Sequence, residues 1–392
     1  MTKTIHVTES IRLFPNKKQL HYFRRASSTT VHVYNKALAW SDEFYNEFQT
    51  AISQKELLGS LKEYALELEN QDKPHGLEYH TWREGIFRFL EARKRWLKGL
   101  SGKPRYQSNK WKRSRSFYVR EDRLRVELYR GNLEVKIPGL AKHDNKKGWV
   151  RASEDGVRFV GLKIKRARVV FDGKYWYLKF AVEVGASRPE NVGNSIGIDL
   201  GITNLMVTSN GDVIEPAWNN KKYKKLLTRK KGLQRKLARQ RIEEKKNKLE
   251  EHSKNYWKTR NKLWRVERHL EEFKKAYVIQ VAKEALATKP ETLVLENLNI
   301  QGMIKNKRLS SKIHEVGWYR LRLQLEWEQE KDCLGTIIAP SNYPASKLCS
   351  QCGYKKGDLT LSDRIYQCVN CNLEIDRDYN ASLNLLALAN TR

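Results

Sequence analysis

The sequence predicts a multidomain α+β protein. A helical bundle sits within an antiparallel β-rich segment, and an α/β domain interrupted by a four-cysteine insertion follows. Three observations carry this reading. Apolar residues recur at three- and four-residue spacing across residues 16–100, and they alternate across residues 122–185. Two C-x2-C pairs then break a later pattern of strands and helices.

The elements follow in chain order. Residues 3–14 read as a strand that ends at Phe14-Pro15-Asn16. Phe23, Val31, Val33, Tyr34, Ala37 and Leu38 form one apolar helical set. Trp82, Ile86, Phe87, Phe89, Leu90 and Trp96 form another. Residues 101–120 break the helical pattern with a Gly, a Pro and many cations, as a loop would. LRVELY, LEVKI, RFVGLKIK, ARVVF and YWYLKFAVEV then read as strands of a small antiparallel barrel or sandwich. Residues 186–194 are a linker. SIGIDLG, ITNLMVTS and DVIE read as three strands, the last following an Asn210-Gly211 turn. Long helices cover residues 219–288, TLVLENL is a buried strand, and residues 315–334 are helical before the strand TIIAP. A short helix ends the pattern.

Lys plus Arg number 76 and Asp plus Glu 45, a formal charge of +31. Such an excess is costly in a compact chain unless a polyanion neutralises it, and nucleic acid is the obvious one. From Lys221 to Lys248 the helix carries 14 Lys and Arg against two Glu. A solvated coiled-coil face would be more balanced, so a nucleic-acid face is expected there, with Lys230, Lys231 and Arg235 on it. The opening MTKTIHVTES lacks an apolar secretory core, and no stretch approaches the roughly 20 apolar residues of a membrane span. A soluble, cytoplasmic protein with no membrane partner is expected. Five cysteines do not make a disulfide scaffold in a reducing compartment.

Four of them, Cys349, Cys352, Cys368 and Cys371, stand as C-x2-C, fifteen residues, C-x2-C. Four thiolates at this spacing suit one tetrahedral Zn²⁺. Because all four positions are protein ligands, the ion would be structural. Gly353 eases the turn after the first pair. A pair of redox sites would need a thioredoxin-like βαβ context, which is lacking. Cys333 has no partner at knuckle spacing and reads as an ordinary free cysteine.

Three acidic residues stand in apolar company. Asp199 lies inside SIGIDLGI, Glu296 ends LVLE, and Asp378 lies in DRDYNASLNLL at a helix start. A carboxylate in such a strand is costly unless it meets a cation. Strand centre, strand end and helix start are where a ribonuclease-H-like fold puts its metal carboxylates. Hard Mg²⁺ or Mn²⁺ suits them, two ions together serving phosphodiester cleavage. Asp376 reads as the cap of the last helix. GIDLGITN also looks like the phosphate-binding opening of actin/Hsp70-type ATPases, but the further glycine-rich loops of that family are not found, and the charge and cysteines fit it badly.

Together, GIDLGI, LVLENLNI and YPASKLCSQCG…YQCVNCNLEIDRDYNASLNL resemble TnpB, the OrfB protein of insertion sequences related to type V CRISPR effectors. TESIRLFPNKKQL and VYNKALAW fit that family's opening, so the likeness covers essentially the whole chain. The resemblance implies a transposon-associated RNA-guided DNA endonuclease. It would bind a guide RNA from the transposon end, recognise a short motif beside a double-stranded DNA target, and hydrolyse phosphodiesters at a RuvC-like site. Asp199, Glu296 and Asp378 would hold two Mg²⁺ ions, leaving 5′-phosphate and 3′-hydroxyl ends. Residues 1–15 plus 101–188 would form a wedge β-barrel and 16–100 a helical recognition domain. Residues 189–345 plus 372–392 would form an RNase H-like (RuvC) domain, and 346–371 the zinc ribbon. A monomer is expected.

Tyr79, His80 and Arg83 fall on the helix that would read the flanking motif. Lys112, Arg113 and Arg115 would follow phosphates, and Trp111 or Tyr118 would stack on bases, while Phe117 suits the core. EEKKNKLEEHSKNYW is more acidic and aromatic than the family's pattern at that place. Two other readings compete: an idle RNA-guided DNA-binding repressor, and a transposase accessory protein that joins strands. No member of the acidic triad is missing, which favours chemistry over binding alone.

Overall fold

The computed structural model describes residues 3–70, 77, 79–107, 115–141, 148–249, 251–298, 303, 317–360 and 363–390. Trp111, Lys112 and Arg113 lie outside them. The chain divides into two compact units, residues 4–185 and 186–392, the second including residues 1–3.

The first unit combines helices with a sheet. Strand β1 (Lys3–Phe14) leads into helix α1 (Lys17–Phe48). Asn16 and Gln19 start this helix reciprocally: each side-chain oxygen accepts the other's backbone N–H at 3.0 Å. Helices α2 (Gln54–Asn70) and α3 (Tyr79–Leu97) follow. Gly85 is where α3 crosses α1, since a Cβ there would lie 2.6 Å from the Val33 Cβ and 2.8 Å from the Thr30 carbonyl. Val33, Tyr34, Ala37, Leu38, Trp82, Ile86 and Phe89 fill this helical core, whereas Trp96 remains 39% exposed beyond it.

Strands β2 (Arg115–Tyr118), β3 (Arg125–Tyr129), β4 (Asn132–Lys136), β5 (Trp149–Ala152), β6 (Ile164–Phe171) and β7 (Trp176–Ala186) complete the sheet. The order is β2-β6-β7-β1-β5-β4-β3, and every register described in it is antiparallel. No described pairing joins β2 to β3, so the expected closed barrel is an open seven-stranded sheet. The reason lies in α1. Phe23 and Ala26 belong to the sheet's own core, with the Phe23 ring 5.6 Å from Phe117 and 5.2 Å from Trp176. A helix covering the apolar face removes the need for the sheet to curl shut on itself.

RFVGLKIK and ARVVF are not two strands. Arg158 and Phe159 lie in a 3-10 turn, residues 160–163 are irregular, and only Ile164 and Lys165 join ARVVF in one strand, β6, with a bulge between Lys165 and Arg168. Arg166 at φ 52° adds the extra residue, which shifts the inward positions from Ile164 to Ala167 and Val169.

The second unit is built on a five-stranded mixed sheet. Its strands are β8 (Ile196–Leu200), β9 (Met206–Thr208), β10 (Val213–Ile214), β11 (Thr292–Leu295) and β12 (Gly335–Ile338), in the order β10-β9-β8-β11-β12. The first three form an antiparallel meander, while β11 pairs in parallel with both β8 and β12. Parallel pairs need crossovers. Helices α4 (Lys221–Lys246) and α5 (Lys254–Ala285) supply the first, and α6 (Trp318–Lys331) lies in the second.

Ile196, Ile198, Leu200, Leu293 and Leu295 share a core with α5 and α6. Val294 joins Ala381 and Leu385 of the last helix, α7 (Arg377–Ala387), in another. Because side chains alternate along a strand, Gly197, Asp199 and Glu296 lie on the α7 face. A hairpin of β13 (Ile365–Gln367) and β14 (Glu374–Asp376) carries the second cysteine pair. No described helix is long and apolar enough to cross a membrane.

Candidate active site and four-cysteine centre

The acidic site begins with a close approach. At Gly197 a Cβ would lie 2.1 Å from the Ser382 carbonyl oxygen and 2.5 Å from the Leu386 nitrogen, so only glycine lets α7 rest on β8. Ser209 fixes this point: its hydroxyl accepts the Gly197 N–H at 3.1 Å, and its own N–H donates to the Gly197 carbonyl at 2.9 Å. Asp199 follows two residues later on the same face. Ile198 pairs with Leu295, which brings Glu296 beside Asp199 across the parallel pair. The loop after Asp199 is held by α6, where the Trp318 indole donates to the Gly201 carbonyl at 3.1 Å.

Asp378 stands in the first turn of α7 and is buried. Asp376 takes the capping role: its carboxylate accepts the N–H groups of Asp378 and Tyr379, both at 2.9 Å. Asp378 itself faces cations. The Arg377 guanidinium reaches its Oδ1 from Nη2 at 2.9 Å and from Nε at 3.2 Å. Arg364 lies 3.8 Å from its Oδ2 and donates to the Thr203 hydroxyl at 3.0 Å.

Burial pushes the Asp199 carboxyl well above the usual aspartate range; the charges of Glu296 and then Asp378 push it further, against Arg377. Burial likewise raises Glu296. Asp199 thus feels both other carboxylates, and a multivalent cation between them would stabilise the charged form. Among the described residues they form no set as tight as the cysteines, whose four sulfurs lie within 4.8 Å of one another.

That cysteine set is built from two like turns. The Gly353 N–H donates to the Cys349 carbonyl at 2.9 Å, and the Asn372 N–H to the Cys368 carbonyl at 3.0 Å. Gly353 and Asn372 both adopt positive φ, 74° and 55°. Asn is one of the few other residues that tolerates this region. The sulfur pairs Cys349–Cys371 and Cys352–Cys368 are 3.5 and 3.6 Å apart, far beyond the roughly 2.05 Å of a disulfide.

Their ionisation is uneven. The Asn370 amide and the Tyr354 N–H draw Cys352 down to about 6. At Cys371 the Leu373 N–H favours the thiolate, but burial and the neighbouring thiols push it up to about 12. Four thiolates this close need a cation between them, and the all-sulfur donor set fits a soft or borderline divalent ion. Tyr366, fully buried, floors the centre with its hydroxyl 3.0 Å from the Tyr354 carbonyl.

Two buried asparagines on α7 couple the centres. The Asn380 amide donates to the Leu348 carbonyl at 2.6 Å, and its oxygen accepts the Ser350 N–H at 2.9 Å. The Asn384 amide donates to the carbonyls of Ala345 and Leu348, both at 2.8 Å. The first cysteine knuckle therefore stands on the helix that begins at Asp378. Sequence reading missed Asn380, Asn384, Arg364 and Arg377, although the four-residue spacing of the asparagines inside an apolar helix was a usable signal.

The other expected contacts are dispersed. In the first unit, Tyr79, His80 and Tyr118 are neighbours, with ring centroids 6.4 and 6.5 Å from His80. The Arg83 guanidinium lies 5.2 Å from the Phe87 ring centroid. Arg115 pairs with Phe171 at the edge strand, and Phe117 is core. In the second unit, Lys231 and Arg235 are exposed on α4 and Lys230 is half-buried.

Residues 179–307 match the OrfB family model described as "Probable transposase", and residues 318–385 match the model "Cas12f1-like, TNB domain". The first segment contains Asp199 and Glu296; the second contains all four ribbon cysteines and Asp378. Over these segments the chain is similar to the OrfB proteins. The resemblance read from the motifs is thereby borne out.

One relative, from Streptomyces pristinaespiralis, is 25% identical over 382 residues, covering 96% of this chain and 87% of that protein, and is named "Putative RNA-guided DNA endonuclease". "Putative RNA-guided DNA endonuclease InsQ" of Escherichia coli K12 is 25% identical over 395 residues, covering 96% and 90%. Among solved structures, the protein chain in a cryo-EM structure of a Cas12f1–sgRNA–target DNA complex shares the fold. The TM-score is 0.60 at 16% identity, over 98% of this chain and 99% of that one.

Proposed function

We propose that this OrfB relative is an RNA-guided DNA endonuclease. Asp199, Glu296 and Asp378 would hold Mg²⁺ or Mn²⁺, and the four cysteines one structural Zn²⁺. The observation that carries the reading is the convergence of three buried or half-buried acids on one sheet face, with Asp199 raised by burial and by both companions. The strand order β10-β9-β8-β11-β12 supports an RNase H-like (RuvC) domain, with Asp199 on its central strand. The names of the two relatives support the substrate class.

Bound metal would supply Lewis-acid activation of water and of the scissile phosphate. The chain's residues do the rest. Gly197 and Ser209 fix the strand under Asp199, and the β8–β11 register sets Glu296 beside it. The α7 N-terminus, with Asp376 as cap, orients Asp378 and favours negative charge there. Arg377 and Arg364 keep the Asp378 carboxylate paired and would exchange that contact when it takes up metal, leaving two cations beside the phosphate being cut. The ribbon, clamped by Asn380 and Asn384, keeps α7 from shifting.

Base pairing with a guide RNA would read the target sequence, while the protein reads backbone shape and a short flanking motif. Lys230, Lys231 and Arg235 would contact phosphates. Tyr79, His80 and Arg83 would face the flanking motif, with Trp111, Lys112, Arg113 and Arg115 following the backbone. Residues 1–15 plus 101–188 would serve as the wedge, 16–100 as the recognition helices, 189–345 plus 372–392 as the nuclease domain, and 346–371 as the ribbon. The bacterial relatives fit action in the cytoplasm; a monomer is the expected state.

The test is to express the gene with its flanking DNA, sequence any RNA that copurifies, and assay Mg²⁺-dependent cutting of matched DNA beside Asp378→Ala. Guided cutting lost in the variant is expected. Bound RNA without cutting would point to a repressor, and absence of RNA would remove the guided reading.

A further inference from the structure

The turn between α4 and α5 is a constructed feature. Glu244, only 7% exposed, reaches across it from α4. Its Oε1 accepts the Ser253 N–H at 2.9 Å, and its Oε2 lies 2.6 Å from the His252 Nδ1. Burial would raise this carboxyl, yet the bonds from His252 and Ser253 outweigh burial and hold it below the usual glutamate range. Ser253 in turn caps α5 by accepting the Tyr256 N–H at 3.1 Å.

These contacts set three rings. His252 lies flat on Tyr256, with centroids 3.8 Å apart and planes 13° from parallel. Trp257 stands across both, at 89° to Tyr256 and 78° to His252. Tyr256 is buried beneath, while Trp257 keeps 37% of its surface exposed and the His252 side chain 37%. The result is an aromatic corner with an imidazole floor and an indole wall. The His252 Nδ1 is taken up by Glu244, which fixes the ring against Tyr256. Lys245, Lys246, Lys248, Lys254 and Lys258 are all exposed around it, against exposed Glu243 and Glu251.

The position matters as well. At 1.5 Å per residue, α5 carries this turn roughly 36–46 Å along its axis from Val278–Ala285, which pack under the sheet that holds the acids. A carboxylate buried at the tip of an arm adds nothing to the sheet core. What it holds in place is the ring corner and the lysines beside it.

We propose that this turn is a separate RNA-binding site that takes an unpaired nucleobase on His252 and Trp257 and the flanking phosphates on the lysines. The inference rests on the nucleic-acid reading above. Duplex DNA keeps its bases stacked and paired and offers such a corner only phosphates. RNA loops splay bases out onto aromatic rings, and a stack of this kind tolerates any base.

The test uses the full-length protein, with fluorescence anisotropy of a labelled oligouridine and of a labelled DNA duplex of equal length. Trp257→Ala is expected to weaken oligouridine roughly tenfold, within the range of a lost base stack, and to change duplex binding by less than about twofold. Trp257→Phe should restore most of the loss and, with circular dichroism, controls for folding. Glu244→Gln should weaken oligouridine in the same sense by loosening the corner. Oligouridine binding unchanged in folded Trp257→Ala would overturn the site while leaving the wider nucleic-acid reading intact. Equal losses on both probes would also overturn it, since phosphate contact alone would explain them. A wild-type protein that binds neither probe would remove the reading on which the site rests.

Discussion

The cysteine ribbon and the acidic cluster both rest on α7, yet they are assembled in opposite ways. The ribbon closes within residues 349–371, through two like turns that place four sulfurs within 4.8 Å of one another. The acids come from three distant segments, and they meet only because β8 pairs with β11 and because Gly197 admits α7. A local site depends on short spacing and can keep its geometry when neighbours change. A site made at long range inherits every error in the packing beneath it.

The largest expected effect breaks the local centre. Cys368→Ser should abolish the proposed zinc binding and unfold the ribbon, since structural zinc in such sites is worth on the order of 10 kcal/mol. Metal content by mass spectrometry and the thermal midpoint report it. Because Asn380 and Asn384 tie the first knuckle to α7, DNA cutting should fall with it.

Gly197→Ala separates the two regions. A Cβ 2.1 Å from the Ser382 carbonyl forces α7 off the strand, and overpacking of this kind costs about 1–3 kcal/mol or more. Cutting should be lost while zinc content stays at the wild-type level. Zinc lost along with activity would mean that the centres are not separable.

Smaller still is Asn384→Ala. It takes the side-chain donor from the buried Ala345 carbonyl and leaves the Leu348 carbonyl with Asn380 alone, a cost of about 1–3 kcal/mol. A lower thermal midpoint with reduced, not abolished, cutting is expected.

These differences explain what could be read beforehand. Cysteine spacing is local, so the cluster was legible down to each cysteine. The acids stood out because a carboxylate in an apolar run is anomalous, and the strand-strand-strand pattern around Asp199 was legible by alternation. The partners Arg364, Arg377, Asn380 and Asn384 were not, because a polar residue in a helix or loop reads as solvated until tertiary contacts bury it. The barrel expectation failed for a related reason. Alternation says that a face is covered but not by what, and Phe23 of α1 covers it where a closing strand pair was expected.

The smallest effect concerns pH. The Asp199 carboxyl is raised above its unfolded value, so the proton-bound fold is the favoured one. Its contribution to stability is present at acidic pH and is lost as pH rises through the raised value. Without added Mg²⁺, Asp199→Asn should therefore be the more stable protein near neutral pH. Its advantage should shrink towards the ordinary aspartate range. Thermal midpoints across that window, with and without Mg²⁺, check the sign; Mg²⁺ should stabilise only the wild type.

The most direct measurement is single-turnover cutting of matched DNA by the RNA-loaded protein and by Asp199→Ala, Glu296→Ala, Asp378→Ala and the triple variant. Groups that act as a unit lose their effect together. Each single variant should therefore lose on the order of 10³-fold or more with RNA and zinc retained, and the triple should be little worse. Substantial cutting by any one of the folded single variants would contradict a shared site.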